Sequence, residues 1–434
     1  MATYDWSKFG LHIPQIMLPK EGTDYYKWAV VACDQYTSEP DYWEKAEEIV
    51  GQAPSALRLM LPEYYLGRPE EETLTRQIRE NMTNYIKEGI LQKLPAGCML
   101  VKREAEGRSR LGLVICVDLE ACDYHKGSQS LIRATEGTIA SRIPPRLKIR
   151  RGAPLEMPHI LILIDDPGKS CIEPLESLDA PVVYDTGLML GGGHITGKFL
   201  AEDKLSGLLE ALNRLMDKAV QRYGKGKVIF EAMGDGNHSL ATAKSAWEEI
   251  KKDLTPEEAE NHPARFALCE IENVHDEGIV FEPIHRVVFG REDLGGCGIL
   301  EKLSVILNGQ NGSALLSDSP DAEPGDYMIP CLTAEGRRYL IVKEPKAGLP
   351  VGALQNAIDV LVKEEDLTVD YIHGEKAVQT LSQDPRNAGF LLPAMDKFAL
   401  FPAVARDGAL PRKTFSMGEA NEKRYYIETR SITL

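Results

Sequence analysis

The fold turns on Glu231-Ala-Met-Gly-Asp-Gly-Asn-His-Ser-Leu-Ala-Thr-Ala-Lys244. Val228, Ile229 and Phe230 lead in as the start of a strand, and residues 238–252 leave as a helix with Leu240, Ala243, Trp247 and Ile250 on one face. Between them, Gly234 and Gly236 frame Asp235 and permit a tight turn and close backbone approach to a ligand. The N–H groups at a helix start have no intrahelical partner, so they form an anion site. His238 at that start can donate to a phosphate or carry a proton, with Asp235 orienting it, accepting a hydroxyl proton or holding a metal. Without a ligand the same string reads as an Asp-Gly turn with Asn237 as a helix cap.

Elements alternate on either side of this stretch. Residues 109–117 (SRLGLVICV) read as a strand, as does the apolar run 158–164, which ends in Asp165-Asp166-Pro167. Helices are expected over 41–51, 73–88 and 205–223; the last carries Leu205, Leu208, Leu209, Leu212, Leu215, Met216 and Ala219 in one stripe. Residues 265–274 and 279–289 read as adjacent strands joined by a turn at His275-Asp276-Glu277-Gly278. A helix at 294–307, a Gly/Ser/Asp-rich stretch at 308–325 suited to a linker, strands at 327–332 and 338–342, and a helix at 351–365 complete the pattern. The expectation is a mixed α/β (α+β) protein with a catalytic region over 1–290 and a C-terminal α/β region over 291–434.

The chain has 434 residues and a net charge of -16, which disfavours general nucleic-acid or anionic-membrane binding. Its eight cysteines show no CxxC pair and no zinc spacing, its start lacks a signal-peptide pattern, and no apolar run reaches membrane length. A cytoplasmic protein with free thiols, acting on a small molecule, is expected; oligomeric state is not readable from the sequence. Against the acidic whole, residues 133–151 hold Arg133, Arg142, Arg146, Lys148, Arg150 and Arg151 with one carboxylate, Glu136. Arg133, Arg142 and Arg146 are candidates for meeting negative charge, whereas Lys148, Arg150 and Arg151 read as solvated or ion-paired. Gly192, Gly197 and Lys198 match the spacing of a phosphate loop, but Phe199 stands where Ser or Thr is needed, so a glycine turn is expected.

Several of these passages carry a resemblance. The string GDGNHSLATAK resembles the "DGxHR" box of the ParB/sulfiredoxin-type superfamily. Four passages resemble domain-of-unknown-function family 1015: Ile132 to Ile139 with Arg142-Ile-Pro-Pro-Arg146, Pro158 to Asp166, Gly234 to Lys244, and Phe281-Glu-Pro-Ile-His-Arg286. Tyr371-Ile-His-Gly374 and Pro411-Arg-Lys-Thr414 extend the similarity over nearly the whole chain. The resemblance implies a ParB/sulfiredoxin-like nucleotide-binding core, ATP or ADP with Mg2+ as cofactor, and phosphoryl transfer to a small hydroxylated metabolite, serine or phosphoserine being the best guess.

In that reading Asp235, His238 and Glu136 are catalytic. Gly234, Gly236, Asn237, Ser239, Arg133, Arg142, Arg146, His285 and Arg286 hold phosphate or nucleotide, and Asp165 and Asp166 are the metal candidates. The superfamily box often places Arg after His, where this chain has Ser239, so the phosphate's countercharge must come from elsewhere. A small-molecule phosphatase and a non-enzymatic nucleotide sensor are the alternatives.

Overall fold

A computed structural model describes residues 5–125, 127–137 and 142–433. The chain forms a mixed α/β protein of two compact units. The first comprises Met1–Val280, Val404–Gly408 and Gly418–Leu434; the second comprises Phe281–Ala403 and Ala409–Met417.

The first unit is organised by an eleven-stranded mixed sheet. Its strands run in the order Val182–Leu188, Gly193–Ala201, Leu91–Ala105, Arg108–Asp118, Phe266–Asn273, Leu161–Ile164, Glu231–Asp235, Ile132–Arg133 and Cys122–Asp123, with two short N-terminal strands beside this path. The unbroken apolar run in Arg108–Asp118 has a direct cause: both faces of the sheet are covered. Val114 and Cys116 face one core with Trp28, Trp43, Ile78 and Met82. Leu113, Ile115 and Val117 face a second core with Leu208, Leu212 and Leu215 of the helix Ser206–Tyr223, and Leu240 and Trp247 of the helix Asn237–Ile250.

The second unit holds a seven-stranded sheet, antiparallel throughout, backed by the helices Gly295–Asn311 and Pro350–Glu365 through Leu303, Leu307, Leu354 and Ile358. Three expectations change here. The strands Phe266–Asn273 and Phe281–Phe289 both form, but they join different sheets instead of pairing as neighbours. The polar stretch 308–325 is no linker; it contains the end of a helix and the strand Ala314–Ser317, inside the second unit. Division falls at Val280, ten residues before the expected 290, and the C-terminal segment Gly418–Leu434 returns to the first unit. Among the described residues, no helix is long and apolar enough to cross a membrane.

Candidate active site of the first unit

Glu231–Asp235 lies between two partners, antiparallel to Leu161–Ile164 and parallel to Ile132–Arg133. Its pairing slips between Met233 and Asp235, which ends the ladder and frees the chain to turn. Gly236 takes φ +83°, and a Cβ there would lie 3.1 Å from the Ile160 Cα. Glycine is therefore needed on two counts, conformation and space. The helix Asn237–Ile250 then begins with no side-chain cap from Gly236, and the Asn237 Oδ1 is buried without a hydrogen-bond partner. The expected strand–turn–helix thus forms, with His238 and Ser239 half-buried in the first helical turn.

The charge on this turn comes from the far end of the sequence. Asp235 Oδ2 pairs with Lys423 Nζ at 3.0 Å, and its Oδ1 accepts the Gly236 N–H at 2.9 Å. Burial alone would raise the Asp235 pKa, but Lys423, helped by His159 and the Gly236 N–H, outweighs it and holds the carboxyl below its ordinary value. Lys423 itself is buried. A set of long-range clamps fixes its segment. Arg424 is fully enclosed between Glu270 and Glu428 and donates to the Pro158 carbonyl, while Arg430 pairs with Glu156 at 2.7 Å. Arg103 and Arg110 hold the carbonyls of Asn421 and Glu422, and Trp28 donates to the Ile427 carbonyl.

A second group of polar side chains adjoins. Nδ1 of His159 lies 2.6 Å from the Tyr426 Oη, which also accepts the Cys33 N–H at 3.3 Å. Arg146 donates to Glu63 at 2.5 Å. Burial raises the Glu63 pKa; the Arg146 guanidinium opposes it, Asp34 adds to it, and His159 opposes it. The Cys33 thiol is pushed well up, by burial first and then by Asp34 and Glu63. Segments around residues 33, 63, 146, 159, 235 and 423 therefore converge on one place.

The other expected site residues divide sharply. Arg146 reaches this group through Glu63, and Glu136 lies half-buried just beyond the strand that pairs with Glu231–Asp235. Gly234 is buried in the strand. Arg142 is exposed and lends its carbonyl to Arg146. Arg133 is buried, and its guanidinium donates to the carbonyls of Ser130, Lys227 and Val228, as a structural clamp does. His285 and Arg286 belong to the second unit. Nδ1 of His285 accepts the Leu392 N–H, and the enclosed Arg286 donates to Gln355 and to the carbonyls of Ile284, Arg412 and Lys413.

Both expected metal ligands have partners within the protein. Asp165 pairs with Arg222 and His275, each at 2.8 Å. Asp166 is buried and accepts the N–H groups of Ser170 and Cys171. Among the described residues, no three His, Cys, Asp or Glu side chains are grouped to hold a metal. Lys148, Arg150 and Arg151 pair with Glu71, Glu156 and Glu249, in line with the ion-paired reading. Gly191 and Gly192 lie in the hairpin turn between Val182–Leu188 and Gly193–Ala201, and Lys198, within the second of these strands, donates to the carbonyls of Glu176 and Leu178. Thr138 and Ile139, part of one family passage, lie outside the described residues.

Comparison with solved structures gives distant similarities. A conserved hypothetical protein from Pyrococcus furiosus matches at 11% identity and a TM-score of 0.39, over 74% of this chain and 95% of that one. A free serine kinase in complex with AMP matches at 11% identity and a TM-score of 0.39, over 72% and 90%. SbnI with a C-terminal truncation, from Staphylococcus aureus, matches at 10% identity and a TM-score of 0.36, over 73% and 81%. At this level they fix neither ligand nor activity. No curated protein matches significantly. The sequence profile of the family described as "Protein of unknown function (DUF1015)" matches residues 17–361, and the chain belongs to that family.

Proposed function

We propose that the first unit carries out phosphoryl transfer between a nucleotide and a small hydroxylated metabolite, with serine or phosphoserine as the leading substrate. The observation that carries this reading is the Lys423–Asp235 pair at the start of the helix Asn237–Ile250. A phosphate needs backbone N–H donors and a cation. The turn supplies the first, and Lys423 supplies the charge that Ser239 lacks. Phosphoryl transfer depends mainly on positioning and on neutralising the phosphate oxygens.

In this scheme the N–H groups of the first helical turn and Lys423 hold the transferred phosphate. Arg146, anchored on Glu63, adds a second cation on the same side. Asp235 orients the acceptor hydroxyl, and its pairing with Lys423 keeps it an acceptor at neutral pH. ATP or ADP is the proposed nucleotide, bound in a core of the ParB/sulfiredoxin type. Magnesium would arrive with the nucleotide, held largely by phosphate oxygens and water.

The test is product analysis by 31P NMR after incubating the protein with serine and ATP or ADP, with and without magnesium. Phosphoserine that depends on nucleotide and is lost in Asp235→Asn supports the proposal. A fully active Asp235→Asn protein overturns the site assignment. Release of inorganic phosphate from phosphoserine without nucleotide replaces transfer by hydrolysis.

A further inference from the structure

We infer that Tyr426 is a positioning residue whose O–H donates to Nδ1 of His159 and so fixes the tautomer of an imidazole packed beside the Asp235-Gly236 turn. The inference deepens the proposed function and rests on it only for what His159 would then touch.

Nδ1 of His159 is 2.6 Å from the Tyr426 Oη. On its opposite edge, His159 Cδ2, the carbon bonded to Nε2, lies 3.5 Å from where a Gly236 Cβ would stand. Nδ1 therefore faces the phenol, and the Cδ2 edge of the ring lies toward the turn.

The Tyr426 oxygen already accepts the Cys33 N–H at 3.3 Å, so its own O–H has to find an acceptor. Two are within reach, the imidazole Nδ1 and the Cys33 sulfur. The thiol is held protonated by burial and by Asp34 and Glu63, and a thiol sulfur is a weak acceptor. The imidazole nitrogen is the stronger one. A phenol donating to Nδ1 forces the ring proton of the neutral imidazole onto Nε2.

The surroundings agree. Asp235 and Glu63 are the carboxylates that His159 influences, Lys423 and Arg146 stand behind them, and Cys33 and Asp34 lie beside the phenol. Tyr426 is itself held in place by backbone pairing of Tyr425–Tyr426 with Val30–Val31, so the phenol is a fixed support.

The decisive experiment reads the 15N shifts of the imidazole nitrogens in the full-length protein at pH 8, without ligand, with His159 assigned by its loss in His159→Gln. The wild-type protein is expected to show the Nε2–H tautomer, and Tyr426→Phe a mixture of both. A wild-type ring protonated at Nδ1 overturns the inference, as does a Tyr426→Phe protein with the wild-type tautomer. If Tyr426→Phe does not fold, the wild-type spectrum alone decides. Because no ligand is present, failure here is separate from failure of the phosphoryl-transfer reading.

Discussion

Replacing Lys423 by Met leaves Asp235 with a half-buried charge and no cation in contact. Removing one member of a fully buried pair costs about 3–5 kcal/mol, and exposed pairs contribute about 0–1 kcal/mol. The Lys423 side chain is 7% exposed and that of Asp235 27%, so this pair lies between the limits. Asp235 also keeps its bond from the Gly236 N–H. We expect a loss of about 2 kcal/mol at pH 7, and a drop in thermal midpoint of about 4 °C for a unit of this size.

The sign of the pH dependence follows from the depressed Asp235 pKa. Such a carboxyl stabilises the fold above its unfolded pKa, about 3.9, and the contribution is lost as pH falls through the lower, folded value. In Lys423→Met the carboxyl can escape by taking up a proton, so the deficit should shrink between pH 7 and pH 5. Adding Asp235→Asn should recover part of it. Differential scanning fluorimetry at the two pH values measures all three proteins. A Lys423→Met midpoint equal to wild type would refute the reasoning, and so would a deficit untouched by both pH and the second substitution.

Other outcomes follow from single residues. Gly236→Ala should cost about 2–3 kcal/mol, combining a left-handed backbone penalty of about 1–2 kcal/mol with the 3.1 Å approach to Ile160, measured by urea unfolding. Arg133→Met strands three carbonyls and should cost about 3 kcal/mol in the same assay, while nucleotide affinity stays at the wild-type level. Glu231 is fully buried, neither carboxyl oxygen has a hydrogen-bond partner, and burial pushes its pKa up to about 8. The unfolded chain loses this proton first, so wild-type stability should fall as pH rises from about 4.3 towards 8. Glu231→Gln should therefore be the more stable protein at pH 8, by about 2 kcal/mol or more, with the gain vanishing near pH 4; a gain independent of pH would contradict this.

What the sequence discloses is what depends on near neighbours. Two glycines around Asp235 followed by a helical stripe are enough to place the strand–turn–helix, and the run in SRLGLVICV announces a strand covered on both faces. Counting charges misleads where a guanidinium is enclosed. Arg133 and Arg286 look like phosphate ligands in a string of letters, but each is surrounded by backbone carbonyls that no spacing rule shows. Lys423, Tyr426 and Glu63 escape notice because they reach the site across long stretches of chain. His159 stands within a family passage, yet only the register of Leu161–Ile164 against Glu231–Asp235 brings it to the turn. A signal did exist: Lys423-Arg424-Tyr425-Tyr426 is a polar and aromatic string entering a strand-like segment, and all four side chains are buried. The strands over 265–289 were legible as strands; which sheet each would join was not, since pairing is decided by partners distant in sequence.

The central claim is that phosphate is held where Lys423 meets the start of the helix Asn237–Ile250. Isothermal titration of ADP and ATP, with and without magnesium, into wild type and Lys423→Met tests it most directly, after circular dichroism has shown both proteins folded. The account predicts saturable binding to wild type that weakens at least tenfold in Lys423→Met, a change of about 1.4 kcal/mol. Equal affinity in the two proteins, or no binding of either nucleotide to wild type, would contradict it.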